Sequence, residues 1–220
     1  MIALAGTARA RFIAFMPQPD DLEIALDFTA VQRSAERVRA LLLDARARFD
    51  LKRFEYSRQV RIAPTEIPYS HPRITLNTWI RDDLGLLSMY LHEQMHWYVT
   101  WYSHLRAPQW RKLLERLRER YPSVPAVEAG GGNDEFSTFL HLLVNWLEIE
   151  AVSQFIARDR VLSHGRALPF YRWIYQTVID DWEALGALYR EQGLLPVRYA
   201  TEMSADDFKL AALTDESPAQ

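Results

Sequence analysis

The residues with the clearest chemical potential are His92, Glu93 and His96, which form the pattern His-Glu-x-x-His inside a long apolar segment. On a helix this spacing places both imidazoles on one face, a turn apart. Two histidines so placed can bind one Zn²⁺, and the glutamate between them can take a proton from a metal-bound water. The chain has no cysteine, so any metal must be bound by histidine or carboxylate side chains. We therefore predict a zinc site with His92 and His96 as ligands and Glu93 as the general base.

A zinc site that catalyses a reaction usually has three protein ligands and one open position, so a third ligand is expected elsewhere in the chain. The mostly apolar segment 134–158 carries Glu148 and Glu150. On a helix these two side chains project roughly 160° apart, so only one of them can face the core. Glu148 has apolar neighbours at helical spacing, and we predict it as the third ligand. His141 and Asn145 precede it at seven and three residues and complete one polar stripe.

The elements that must position these residues follow from the periodicity of the apolar residues and from the breakers between them. Asp82 and Asp83 open the helix with the histidine pair, which is apolar nearly all round and is therefore expected to be buried. Asn133 is expected to cap the later helix, and the glycines at 130–132 are interpreted as either a mobile lid or a flexible connector. The predicted strands are Arg11–Met16, Arg53–Ile62 and Arg73–Thr78. The predicted helices run from Asp27 or Thr29 to about Phe49, from Asp83 to Ser103, from Gln109 to Tyr121, from Asp134 to about Arg158 and from about Pro169 to Gln192.

Strands precede helices in this order, which indicates an α+β fold that is predominantly helical, with a small N-terminal sheet. A length of 220 residues with 49% hydrophobic content fits a single domain over residues 1–200. The acidic, Ala/Ser-rich segment 201–220 is predicted to be a disordered tail.

The composition also limits the partners and the compartment. A net charge of −3 and a pI near 6.1 give no electrostatic reason to expect nucleic acid. No run approaches the roughly 18 apolar residues of a membrane span, and the order of charges at the N-terminus does not match a signal peptide. Together with the absence of cysteine, this predicts a soluble cytoplasmic protein without a membrane partner.

The order of a strand at 73–78, a His-Glu-x-x-His helix and a later glutamate resembles the zincin metallopeptidases, and among them the gluzincins. The resemblance covers about residues 73–158. It implies a zincin-like core in which the strand holds an extended peptide and Glu148 is the third zinc ligand. Ala151 and Val152 stand where the thermolysin-type pattern has serine and aspartate.

The lethal-factor-like gluzincins are a more similar subgroup, in which a tyrosine seven residues before the glutamate ligand assists the reaction. His141 stands at that position here. The resemblance therefore implies His141 as the electrophile or acid, with Tyr171 or Tyr175 as the alternative donor.

The function predicted from these residues is the hydrolysis of peptide bonds in a peptide or protein, by a zinc-bound water that Glu93 activates. The alternative is a zincin-derived regulatory or protein-interaction module that keeps the metal and does not cleave its partner. A weaker alternative is a structural helical protein without a metal. The sequence leaves the oligomeric state open.

Overall fold

The computed structural model describes residues 22–26 and 32–213. In this part of the chain, three parallel strands form a sheet of order β1-β2-β3: β1 (Glu23–Leu26), β2 (Gln59–Ile62) and β3 (Ile74–Leu76). Parallel strands need a crossover, and the helix α1 (Gln32–Arg48) supplies it between β1 and β2. The predicted strand Arg11–Met16 lies outside the described residues.

Helices make up most of the structure, and the prediction of a mainly helical α+β fold with a small sheet is confirmed. After α1 they are α2 (Asp83–Leu105), α3 (Ala107–Arg120), α4 (Glu135–Val152), α5 (Arg158–Ala167), α6 (Arg172–Asp180), α7 (Trp182–Glu191) and α8 (Ala205–Ala211). Short 3₁₀ turns occur at Leu51–Phe54, Val127–Ala129 and Ala200–Glu202. None of the helices in the described ranges is long and apolar enough to cross a membrane.

The two central helices, α2 and α4, are buried on almost every face, as their nearly continuous apolar sequences predict. They are antiparallel: Ser88 contacts Glu148, and about two turns later along α2 His96 lies beside His141, which is about two turns earlier along α4. This antiparallel pairing brings the histidines of α2 to the polar stripe of α4.

Side-chain caps define where both central helices begin. The carboxylate of Asp82 accepts the N–H of Gly85 at 2.8 Å, and that of Asp134 accepts the N–H of Ser137 at 2.6 Å. These bonds satisfy backbone donors that the first helical turn leaves open. The prediction that Asn133 caps α4 was wrong by one residue: Asp134 holds the cap position in extended backbone.

Each of the two long helices predicted near the C-terminus is broken in the structure. The segment 134–158 ends as a helix at Val152, and the chain turns so that Phe155 packs against Phe49 with the ring centroids 5.4 Å apart. The segment 169–192 is interrupted at Asp181, which accepts a hydrogen bond from the hydroxyl of Tyr121 on α3 at 2.6 Å. Tertiary contacts of the break residues therefore overrode the local helical pattern.

Two further segments depart from the predicted structure. The first part of the predicted strand Arg53–Ile62 belongs to a 3₁₀ turn and loop, and only Gln59–Ile62 forms a strand. The predicted disorder does not hold for α8, where Asp207 accepts a hydrogen bond from the indole N–H of Trp101 at 2.8 Å. Residues 214–220 lie outside the described residues.

Candidate metal centre

Three imidazoles meet between α2 and α4. His92 and His96 come from successive turns of α2, and His141 comes from α4. One nitrogen from each ring lies within 4.8 Å of the corresponding nitrogen of the other two. Among the described residues, this is the group of three or more histidine, aspartate or glutamate side chains whose ligand atoms lie close enough together to bind one metal ion.

Hydrogen bonds at the outer nitrogens define the tautomers of two of the rings. Nδ1 of His92 lies 3.0 Å from Oε2 of Glu148, and Nδ1 of His141 lies 2.7 Å from the carbonyl oxygen of Ser137. A carboxylate and a carbonyl only accept, so we assign a proton to Nδ1 in both rings. The lone pair of each ring is then at Nε2, the nitrogen that remains for a metal.

The surroundings of His141 favour the neutral form of its ring. Burial lowers the pKa of His141 well below its ordinary value, and the neighbouring charges of His96 and His92 lower it further. A neutral imidazole is the form that binds a metal. For His92, burial opposes the charged form, but the hydrogen bond to Glu148 and the charge of Glu93 outweigh it, so the net shift of its pKa is upward.

Glu148 is close to the centre but does not belong to the group of converging ligand atoms. It is 2% exposed, whereas Glu150 lies at the surface and pairs with Arg158, so the prediction that Glu148 faces inward is confirmed. Its carboxylate accepts hydrogen bonds from His92, Ser88 and Tyr175. The structure thus places His141, rather than Glu148, in the group of converging ligand atoms, while Glu148 contacts His92 from outside that group.

Glu93 follows the first histidine and is 5% exposed. Burial raises its pKa, and the charges of His92 and His96 oppose that shift without cancelling it. A carboxylate whose pKa is raised toward neutrality is suited to accept a proton and release it again. Glu93 is therefore a buried acid with a raised pKa, next to His92 in the chain.

Tyr171 lies over the histidines. Its ring centroid is 4.2 Å from that of His141 and 6.4 Å from that of His92. Burial, with a contribution from the charge of Glu93, raises its pKa to about 12, so the hydroxyl stays protonated and can donate at neutral pH. Of the two tyrosines predicted as donors, Tyr171 thus has its ring against His141, while the hydroxyl of Tyr175 donates to Glu148 at 2.7 Å.

The backbone of Tyr171 is strained, with φ 51° and ψ 30° in the left-handed region. Gly130, the first residue of the glycine segment 130–132, packs against the start of α6 just beyond Tyr171. A Cβ at Gly130 would lie 2.6 Å from the backbone nitrogen of Trp173, and Arg172 donates to the carbonyl of Glu128 at 3.2 Å. All three glycines are buried, so this segment is closely packed rather than an open lid, and Gly130 contacts the two residues that follow Tyr171.

The strand expected to hold a substrate is present as β3, but its outer edge is already paired. The N–H of Thr75 donates to the carbonyl of Tyr69 at 2.8 Å, and the N–H of Tyr69 donates back at 3.2 Å. The following residue, Ser70, accepts the indole N–H of Trp97, which adjoins His96 on α2. A peptide cannot add to β3 at Thr75 while Tyr69 occupies that position.

One residue near the centre, Ser88, carries no role in the sequence prediction. Ser88 precedes His92 by four residues and so lies on the same face of α2, and this spacing was the signal that could have identified it. The polar stripe on α4 pointed to the site as a whole, but it did not indicate which of its members would adjoin the histidines.

The chain matches no protein-family model, no curated protein and no solved structure.

Proposed function

We propose that His92, His96 and His141 bind a zinc ion and that this chain is a zinc-dependent metallopeptidase. The observation that carries the proposal is the convergence of three imidazole nitrogens within 4.8 Å, with the buried acid Glu93 adjoining the first of them. Three nitrogen ligands with one open position is a common ligand set of catalytic zinc. His141 replaces Glu148 as the third ligand in this proposal.

Zinc bound at this position would polarise a carbonyl group and lower the pKa of a water molecule to about 7. Glu93 takes the proton of the attacking water and delivers it to the leaving amine. The hydroxyl of Tyr171 donates a hydrogen bond to the carbonyl oxygen as negative charge develops there. His141 acts as a ligand in this scheme, so the role of donor passes to Tyr171.

The second candidate function is a metal-binding module that recognises a protein without cleaving it. Two observations favour it. The side chain of His92 is only 13% exposed, and His96 and His141 are 7% and 8% exposed, so little of the centre is open to a large substrate. In addition, Tyr69 occupies the strand edge along which a zincin-like peptidase would align its substrate.

The decisive measurement is the metal content of protein purified without chelators, by elemental mass spectrometry. We expect about one zinc per chain, near-complete loss of zinc in His141→Ala, and full retention in His164→Ala, a matched change on α5. Cleavage is then measured on a broad peptide library with product detection by mass spectrometry. A chain that lacks zinc contradicts both metal functions, whereas a zinc-loaded chain that cleaves nothing in the library supports the binding module.

A further inference from the structure

Glu148 is the most heavily hydrogen-bonded acid of the centre. Its Oε1 accepts the hydroxyl of Ser88 at 2.5 Å. Its Oε2 accepts the hydroxyl of Tyr175 at 2.7 Å and Nδ1–H of His92 at 3.0 Å. The three donors come from α2 and α6, so the carboxylate of α4 is held by two neighbouring helices.

This arrangement solves the problem of a charged group at 2% exposure. A buried carboxylate is costly unless hydrogen bonds replace its hydration, and hydrogen bonds to a charged acceptor are stronger than those between neutral groups. Ser88 and Tyr175 are both buried, and neither hydroxyl competes with bulk water for this contact. The two hydroxyls thereby set the orientation of the carboxylate plane.

We propose that Ser88 and Tyr175 are positioning residues of the metal centre: they hold Glu148 so that it orients His92 and stays outside the ligand set. The inference rests on the proposed zinc site. A carboxylate that two hydroxyls hold in place can still accept a hydrogen bond from Nδ1–H of His92. This bond fixes the ring so that its Nε2 is left for the metal. A carboxylate released from them is free to rotate away from His92 or toward the metal.

The experiment uses the full chain with Co²⁺ as the probe, because its visible absorption reports the number and kind of ligands. Affinity is measured by competition with a chelator for the wild type, Ser88→Ala, Tyr175→Phe and the double variant. We expect a loss of about 10-fold in each single variant and up to about 100-fold in the double variant, as for other partners of metal-bound histidines. The double variant is also expected to show a changed absorption band.

Tyr189→Phe is the matched control. Its hydroxyl is buried and has no hydrogen-bond partner among the described residues, so the variant removes the same atom from a core tyrosine on α7, a helix that carries none of the three histidines and none of the residues bonded to Glu148. It should bind Co²⁺ like the wild type. Tyr175→Phe removes a single oxygen atom, so its Co²⁺ affinity and spectrum test the inference even if the double variant fails to fold.

Wild-type affinity together with a wild-type spectrum in both single variants would overturn the inference and leave the proposed zinc site intact. A wild-type chain that binds neither Co²⁺ nor Zn²⁺ would overturn the zinc site itself, and the inference with it. The two failures are therefore distinguishable in the same set of measurements.

Discussion

Two groups of side chains lie near the three histidines of the proposed metal centre, and they differ in how they are held. In the support cluster (Ser88, Glu148 and Tyr175), every side chain is buried and is joined to another by a hydrogen bond of 2.7 Å or less. In the reaction cluster (Glu93 and Tyr171), one residue has a backbone in the left-handed region and the other is a buried acid with a raised pKa. The hydrogen-bonding groups of the support cluster are satisfied, whereas the reaction cluster has a strained backbone at Tyr171 and a raised pKa at Glu93.

Under the proposed function, we infer from this difference that the two clusters have separate roles. A satisfied hydrogen-bond network fixes ring orientation and so governs how tightly a metal is bound. Strained backbone and perturbed acids are concentrated at reacting groups, where they are maintained by the surrounding packing. Changes in the support cluster should therefore alter metal affinity, and changes in the reaction cluster should alter the rate at constant metal content.

The largest expected effect follows from Glu93→Gln. The amide keeps the size of the side chain but cannot take a proton, so peptide cleavage should fall by about 10²–10⁴-fold while zinc content stays at the wild-type level. Cleavage rates and elemental analysis on the same preparations check both halves. Loss of zinc in this variant would place Glu93 with the support cluster and break the division.

Tyr171→Phe tests the other member of the reaction cluster. The variant keeps the ring against His141 and removes only the hydroxyl, so kcat should fall by about 10²–10³-fold with zinc affinity unchanged. Steady-state kinetics on a cleaved library peptide measures the effect. An unchanged kcat would show that Tyr171 only covers the histidines.

A smaller effect is expected from Gly130→Ala, which acts on Tyr171 through the backbone. The new Cβ would lie 2.6 Å from the nitrogen of Trp173, so the start of α6 must shift. Displacement of a reacting group by about 1 Å can cost up to about 10²-fold in rate. In a double variant with Tyr171→Phe the two losses should not add, because both remove the same hydroxyl from its position.

Gly193→Ala is the control for Gly130→Ala. Gly193 also has a positive φ, of 74°, but a Cβ there meets nothing within 4 Å. Both substitutions therefore share the strain of an alanine in the left-handed region, and only Gly130→Ala disturbs α6. Equal rate losses in the two variants would show that the effect of Gly130→Ala is general destabilisation.

The smallest effect concerns Asn145, which lies between His141 and Glu148 on α4. It is fully buried, and neither atom of its amide has a hydrogen-bond partner among the described residues. Asn145→Leu has the same branching and removes two unsatisfied groups, so the free energy of unfolding should rise by about 1 kcal/mol with metal affinity unchanged. Denaturant unfolding measures the first quantity and Co²⁺ titration the second.

Thr138→Val provides the contrast on the same helix. The hydroxyl of Thr138 accepts the N–H of Gly132 at 2.9 Å and donates to the carbonyl of Asp134 at 2.8 Å. Its removal leaves a buried N–H unpaired and should lower the free energy of unfolding by about 1–3 kcal/mol.

A different result for Asn145→Leu would change its assignment. If that variant weakens Co²⁺ binding, Asn145, in the middle of the polar stripe, also belongs to the support cluster.

The sequence alone determined those features that depend on neighbours along one helix. The pair His92 and His96 on one face of α2, the burial of that helix and the inward orientation of Glu148 all follow from helical periodicity, because side chains at i, i+3 and i+4 must share a face. The mainly helical α+β class followed from the order of the elements, for the same local reason.

Only the tertiary structure decided which atoms meet across helices. The offset between α2 and α4 places His141 beside His92 and His96, and it places Glu148 within hydrogen-bond distance of His92. The periodicity of either helix alone does not predict that offset. The breaks at Val152 and Asp181 and the pairing of Thr75 with Tyr69 likewise depend on contacts between segments distant in the chain. Local geometry is fixed by the spacing of residues, whereas the identity of a third ligand is fixed by packing between helices, which a single sequence does not display.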